Sequence, residues 1–148
     1  AVRLAQRTGR GRELRAQMDA SPQRVARQRP TSRPPAAFYQ PNSYTGGRDP
    51  LQHAALELAG WDNIAAREGV VGYGSIEMGR LLLARPRQLL TSAYSPGTDS
   101  RGQRMLQHPV LRRLTDGRAP VEVAYKYWIC GGPMIADAVA ILHRGLPG

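Results

Sequence analysis

The stretch that most limits what this chain can fold into is Ala119–Gly145, APVEVAYKYWICGGPMIADAVAILHRG. It is the longest segment in which apolar and small residues dominate without a break. Pro120 stands where a helix begins and Gly145 where one ends, so the reading is a single helix of about 25 residues and about 37 Å. That length crosses a bilayer, yet Lys126 and Asp137 lie inside it. At about 100° per residue, Glu122, Lys126, Asp137 and Arg144 fall within one stripe about 60° wide. The opposite side carries Ala124, Trp128, Gly131, Ile135, Val139 and Leu142.

This pattern argues against a free-standing membrane anchor. An aspartate near the middle of a lipid-facing span costs roughly 2.5–3.5 kcal/mol on insertion scales. Only ten residues separate Lys126 from Asp137, and a span needs about 20 apolar ones. Two readings remain. The helix is the central core helix of a small all-α domain, or it packs on partner subunits at a membrane edge with the charged stripe as its seam. In the second reading Glu122, Lys126, Asp137 and Arg144 are partner contacts. Tyr125, Tyr127 and Trp128 at one end and His143 and Arg144 at the other then act as interfacial anchors. Gly131 and Gly132 allow another backbone to approach closely.

Charge separates the two ends of the chain. The net charge is +10, and Lys126 is the only lysine. Residues 1–35 hold nine arginines against Glu13 and Asp19. A nucleic-acid-binding body would spread basic charge over its own face as well, so the basicity describes an arm. Residues 1–47 read as that arm, since five prolines between Ser21 and Gly47 forbid regular structure. Phe38, Tyr39 and Tyr44 interrupt it, either as anchors in grooves of neighbouring subunits or as side chains packed on this chain's own body. The Arg-rich, acid-poor start resembles an organellar transit peptide or the arm left after its removal.

The body, residues 48–118, reads as short capped helices. Asp49-Pro50-Leu51-Gln52 opens one, with Asp49 as cap, and Gly60 closes it ahead of a buried Trp61. Asp62 caps a short turn ending at Gly69. Ser75 caps a helix to Ala84, Pro86 opens another to Tyr94, and Pro109 starts a last one stopped by Gly117. No run alternates apolar and polar long enough to read as a strand. The fold expected is therefore mainly α, with residues 119–148 forming the long apolar helix and a tail.

Chemistry is sparse. The glycines at 69, 72, 74 and 79 fail the dinucleotide fingerprint, because Glu77 stands where its third glycine belongs. His53, His108 and His143 have no metal-ligand spacing, and Cys130 lacks an activating neighbour. No catalytic, cofactor-binding or metal-ligating residue is assigned, and no cofactor. The expectation from sequence is a non-catalytic accessory subunit of a mitochondrial inner-membrane complex, respiratory chain or ATP synthase. Its partners would be other protein subunits and anionic lipid, with no small-molecule substrate. The alternatives are a mitochondrial ribosomal protein whose arm threads RNA, and a small nucleotide-binding domain or enzyme.

Overall fold

The computed structural model describes residues 9, 11–13, 15–16, 31–92, 104, 108–129 and 131–147. Four short segments form its centre: β1 (Pro35–Phe38), β3 (Asp62–Asn63), β5 (Gln88–Thr91) and β6 (Val121–Glu122). They make one sheet in the order β3-β1-β5-β6. Every pairing is parallel, with Ala36 beside Asn63 and Gln88, Phe38 beside Leu90, and Leu90 beside Val121. Two further strands, β2 (Tyr44–Gly46) and β4 (Tyr73–Ser75), form a separate antiparallel ribbon.

Parallel strands are covered by helices on both faces, so their sequences run apolar without alternation. PAAF is of this kind, and QLLT places two adjacent leucines between a buried Gln88 and Thr91. Successive side chains of β1 point to opposite faces, and each face has its own core. Ala36 and Phe38 join Leu56, Trp61, Leu90, Val123, Trp128, Val139 and Leu142. Ala37 and Tyr39 join Ile64, Ile76, Leu81, Leu89 and Leu111. The first core is closed by α1 (Leu51–Ala59), α5 (Lys126–Ile129) and α6 (Ile135–Arg144). The second is closed by α2 (Ile64–Arg67), α3 (Met78–Ala84) and α4 (Pro109–Leu114). Burying each large side chain contributes about 1.5–3 kcal/mol, and Trp61, Phe38, Tyr39, Leu56 and Leu142 are all almost completely covered.

Directional bonds fix how these layers meet. The Trp61 indole donates to the Leu142 carbonyl at 2.9 Å, tying the end of α1 to α6. Phe38 meets Trp128 edge to face at 5.5 Å. The buried Gln88 amide donates to the Ala119 carbonyl at 2.7 Å and so docks the segment leading into β6.

The architecture is mixed α/β, and it overturns the expectation of a mainly α chain. Several helix signals hold: α1 stops at Gly60, whose φ of 98° suits only glycine, and α4 starts at Pro109. Other segments change type. Leu89 and Leu90 face inward from strand β5, where a helix from Pro86 was expected. Tyr73–Ser75 is strand, and Glu77 takes the cap position of α3 without a side-chain bond. Asn63, one residue past Asp62, caps α2 by accepting from the Ala65 amide at 3.1 Å.

The largest correction concerns Ala119–Gly145. It is β6, then α5, then α6, with Gly131, Gly132 and Pro133 in the connection between the helices. Val121 is drawn into the sheet by pairing with Leu90, and two glycines followed by proline cannot carry a helix through. Glu122, Lys126, Asp137 and Arg144 therefore share no helical stripe. Among the described residues, no helix is long and apolar enough to cross a membrane. The extended arm is corrected too, since Pro35–Phe38 is an inner strand of the sheet. Most of residues 1–30, and Cys130, lie outside the described residues.

Candidate ligand-binding site

The strand order defines one place to look. From β1 the chain moves outward to β3 and then returns to the other side of β1 to lay down β5 and β6. The order reverses between β1 and β5, and in open parallel sheets ligands bind beyond the carboxyl ends of the strands at such a point. Among the described residues that edge is formed by the segments following Phe38 and Glu122, with Ser92 after Thr91.

The segment after β1 is tightly held. The Tyr39 amide donates to Leu90 at 2.9 Å, and the Gln40 amide to Tyr44 at 2.9 Å. Between them, Pro41–Ser43 forms a tight turn with two consecutive left-handed residues, Asn42 at φ 61° and Ser43 at φ 62°. The Tyr39 hydroxyl and Ser43 Oγ share a hydrogen bond of 3.0 Å. This turn delivers the chain into β2, so the β2–β4 ribbon stands beside the carboxyl edge.

The ribbon presents aromatic rings to solvent. Tyr44 lies opposite Ser75 and diagonal to Tyr73, a spacing that long side chains can bridge. Their rings stack with centroids 5.8 Å apart and planes 10° from parallel. Tyr125 follows β6 by three residues, near enough to act electrostatically on Tyr73. Burial raises the Tyr73 phenol above its ordinary pKa, and the nearby Tyr44 and Tyr125 phenols raise it further. Yet Tyr44, Tyr73 and Tyr125 remain 44, 52 and 39 % exposed. Three partly solvated rings gathered at one edge form a shelf with π faces for stacking and hydroxyls for hydrogen bonding. Tyr73, its ionisation delayed, stays a neutral donor at neutral pH.

Buried polar groups hold the shelf in place. Thr45 Oγ1 donates to the Phe38 carbonyl at 2.6 Å, pinning β2 to the end of β1. Asn63 Nδ2 donates to the carbonyls of Gly46 at 3.0 Å and Gly47 at 3.3 Å. It also lies 3.3 Å from His53 Nδ1, and the Glu57 carboxylate lies 3.8 Å from His53 Nε2. Gly47 runs so close to Val70 that a Cβ there would sit 2.0 Å from the Val70 carbonyl oxygen. Gly47 and Arg48 in turn bond across to Gly72 and Val70 at 2.9 and 2.8 Å.

Of the partner-contact residues expected from sequence, Tyr44 belongs to the shelf, as does Tyr125, expected as an interfacial anchor. Phe38 and Tyr39 are buried in the two cores of this chain. Glu122 is exposed on an edge strand, and Lys126, next to Tyr125 in the chain, lies 5.2 Å over the Tyr127 ring. Asp137 and Arg144 are exposed at opposite ends of α6. Gly131 has open space around it, and Gly132 lies half-buried in the α5–α6 connection. Sequence reasoning did not single out Tyr73, and it read Tyr125 as an interfacial anchor. The Gly72-Tyr73-Gly74 triplet was a usable signal, because an aromatic flanked by glycines has little to bury it. Among the described residues no group of three His, Cys, Asp or Glu is placed to hold a metal ion.

No family model matches the chain, and no curated protein matches it. Solved structures do. The periplasmic haem-binding protein HutB of Vibrio cholerae superposes with a TM-score of 0.77 at 17 % identity, over 99 % of this chain and 60 % of that one. The periplasmic haem-binding protein RhuT of Roseiflexus sp. RS-1, in its apo form, gives 0.70 at 21 %, over 97 % of this chain and 59 % of that one. The molybdate periplasmic binding protein MolA of Haemophilus influenzae gives 0.69 at 19 %, over 94 % of this chain and 44 % of that one. The chain thus spans about half to three-fifths of the length of these proteins.

These likenesses overturn the functional expectations drawn from sequence. The similar proteins are bacterial, periplasmic and named for small ligands, haem and molybdate. None is a subunit of a mitochondrial inner-membrane complex, a respiratory-chain component, a mitochondrial ribosomal protein or a nucleotide-binding enzyme. The reading that excluded a small-molecule substrate falls with them. The membrane-edge reading in particular rested on one uninterrupted apolar helix, which the structure breaks into a strand and two helices. The similar proteins bind their ligands without being enzymes, and what this chain shares with them is the fold of a periplasmic binding protein domain.

Proposed function

We propose that this chain is a binding module of an extracytoplasmic solute-capture protein, taking a planar, haem-like ligand onto the Tyr44–Tyr73–Tyr125 shelf. The observation that carries this reading is the stacked, partly exposed Tyr44–Tyr73 pair on the ribbon that follows β1, beside the β1–β5 switch point, with the Tyr125 phenol acting on Tyr73. The names of HutB and RhuT support the choice of ligand class. A flat conjugated ring stacks on phenol faces, whereas a small oxyanion such as molybdate gains little from them. The role is capture and release, with no chemistry done on the ligand. Its partner is the membrane part of a transport system, and its place is outside the cytoplasmic membrane of a bacterium.

The test is a haem titration followed by the Soret band, repeated with Tyr44→Ala/Tyr73→Ala. Each aromatic contact contributes about 0.5–1.5 kcal/mol, so the double variant binds roughly 5- to 150-fold more weakly. Unchanged affinity in the double variant, or molybdate binding more tightly than haem, would sink the assignment.

A further inference from the structure

The turn that launches the shelf holds a residue whose conformation and side chain serve different ends. Asn42 and Ser43 are consecutive non-glycine residues in the left-handed region, at φ 61° and φ 62°. That conformation is unfavourable for residues carrying a Cβ, although Asn tolerates it best. It persists because the surroundings over-determine it. The Tyr44 amide closes the turn onto the Pro41 carbonyl, and the Gln40 amide bonds Tyr44. The Ile76 amide bonds the Ser43 carbonyl at 3.0 Å, and Ser43 Oγ bonds the Tyr39 hydroxyl.

The Asn42 side chain contributes to none of these. It is exposed and makes no hydrogen bond among the described residues. An asparagine kept only for a turn typically bonds its own backbone nearby, and this one does not. Its amide instead stands free on a rigid turn, at the switch point of the sheet and two residues from Tyr44. We infer that Asn42 is a specificity-determining residue of the shelf, its carboxamide donating a hydrogen bond to an oxygen-bearing substituent, such as a carboxylate, at the rim of the planar ligand. This rests on the reading of the shelf as the binding surface. Backbone strain clusters at ligand clamps, and here it falls on the two residues immediately ahead of Tyr44.

Two substitutions in the full-length chain separate the side chain from the turn. Asn42→Gly adopts φ 61° freely and deletes the amide. Asn42→Asp keeps size and turn preference but replaces the donor with a negative charge. Haem is the probe, compared with the same macrocycle esterified at its carboxylates. Asn42→Gly leaves the unfolding midpoint in place and weakens haem binding about tenfold. Asn42→Asp weakens it further, and esterification removes most of the difference between wild type and the two variants. Haem affinity within twofold of wild type for both variants, or equal losses for haem and its ester, overturns the inference. A shifted midpoint for Asn42→Gly overturns it also, since the residue would then act through the turn. If Tyr44→Ala/Tyr73→Ala binds haem normally, the shelf itself is wrong. If that variant fails to bind while Asn42→Gly binds normally, only the role of Asn42 is lost.

Discussion

Asn63→Ala is the substitution whose cost can be worked most fully, because one buried amide joins three elements. Its Oδ1 caps α2 by accepting from Ala65 at 3.1 Å, and its Nδ2 serves the carbonyls of Gly46 and Gly47 and the ring of His53. Nδ2 has two hydrogens for three acceptors, so two full bonds and one cap are lost. Each such bond contributes about 1 kcal/mol net, and a lost cap costs about 0.5–2 kcal/mol. The side chain is almost fully buried, so water does not readily replace it, and the sum is about 3 kcal/mol. Urea unfolding measures this, followed by the fluorescence of Trp61 and Trp128, both inside the first core. With a slope of about 1–3 kcal/mol per molar, the midpoint falls by about 1–3 M. Asn63→Asp keeps the cap but turns a carboxylate toward two carbonyls. It is at least as destabilised at neutral pH and recovers part of the loss on acidification. A loss below about 0.5 kcal/mol for Asn63→Ala would refute the argument that this residue clamps the ribbon to the sheet.

Two further outcomes follow from the same geometry. Gly47→Ala forces a methyl into the Val70 backbone, and overpacking of that kind costs about 1–3 kcal/mol or more. It lowers the unfolding midpoint and weakens haem binding together, whereas Gly131→Ala, with open space around it, moves neither by this route. Spectrophotometric titration of the phenols detects Tyr73 ionising above the ordinary value near 10, because burial and then Tyr44 and Tyr125 hold its proton. Its folded pKa exceeds its unfolded one, so its contribution is complete below about pH 10 and is lost as pH rises through the folded value. Tyr73→Phe abolishes that late step and that portion of the alkaline instability.

Much of the local structure was legible, and the way it assembles was not. Gly60 and Pro109 act through backbone rules that need no neighbours, so α1 and α4 end and begin where their residues require. PAAF and QLLT were opaque for the opposite reason. A parallel strand buried on both faces has no alternation, and segments of four residues with adjacent apolar side chains fit a helix turn equally well. What makes them strands is their pairing with each other, across fifty residues of chain. Ala119–Gly145 was misread because angular projection assumes a continuous helix. The Val121–Leu90 pairing and the Gly131-Gly132-Pro133 break remove that premise. The proposed shelf was hidden likewise, since Tyr44 and Tyr73 come from separate segments that only the β2–β4 pairing brings together.

The most direct test of a carboxyl-edge binding shelf is amide hydrogen exchange of the chain with and without haem. Protection should rise in residues 39–48, 72–76 and 123–126, while α4 and the amino-terminal ends of the strands stay unchanged. Protection centred on α4 or on the amino-terminal edge, or none in the three shelf segments at saturating haem, would contradict the account.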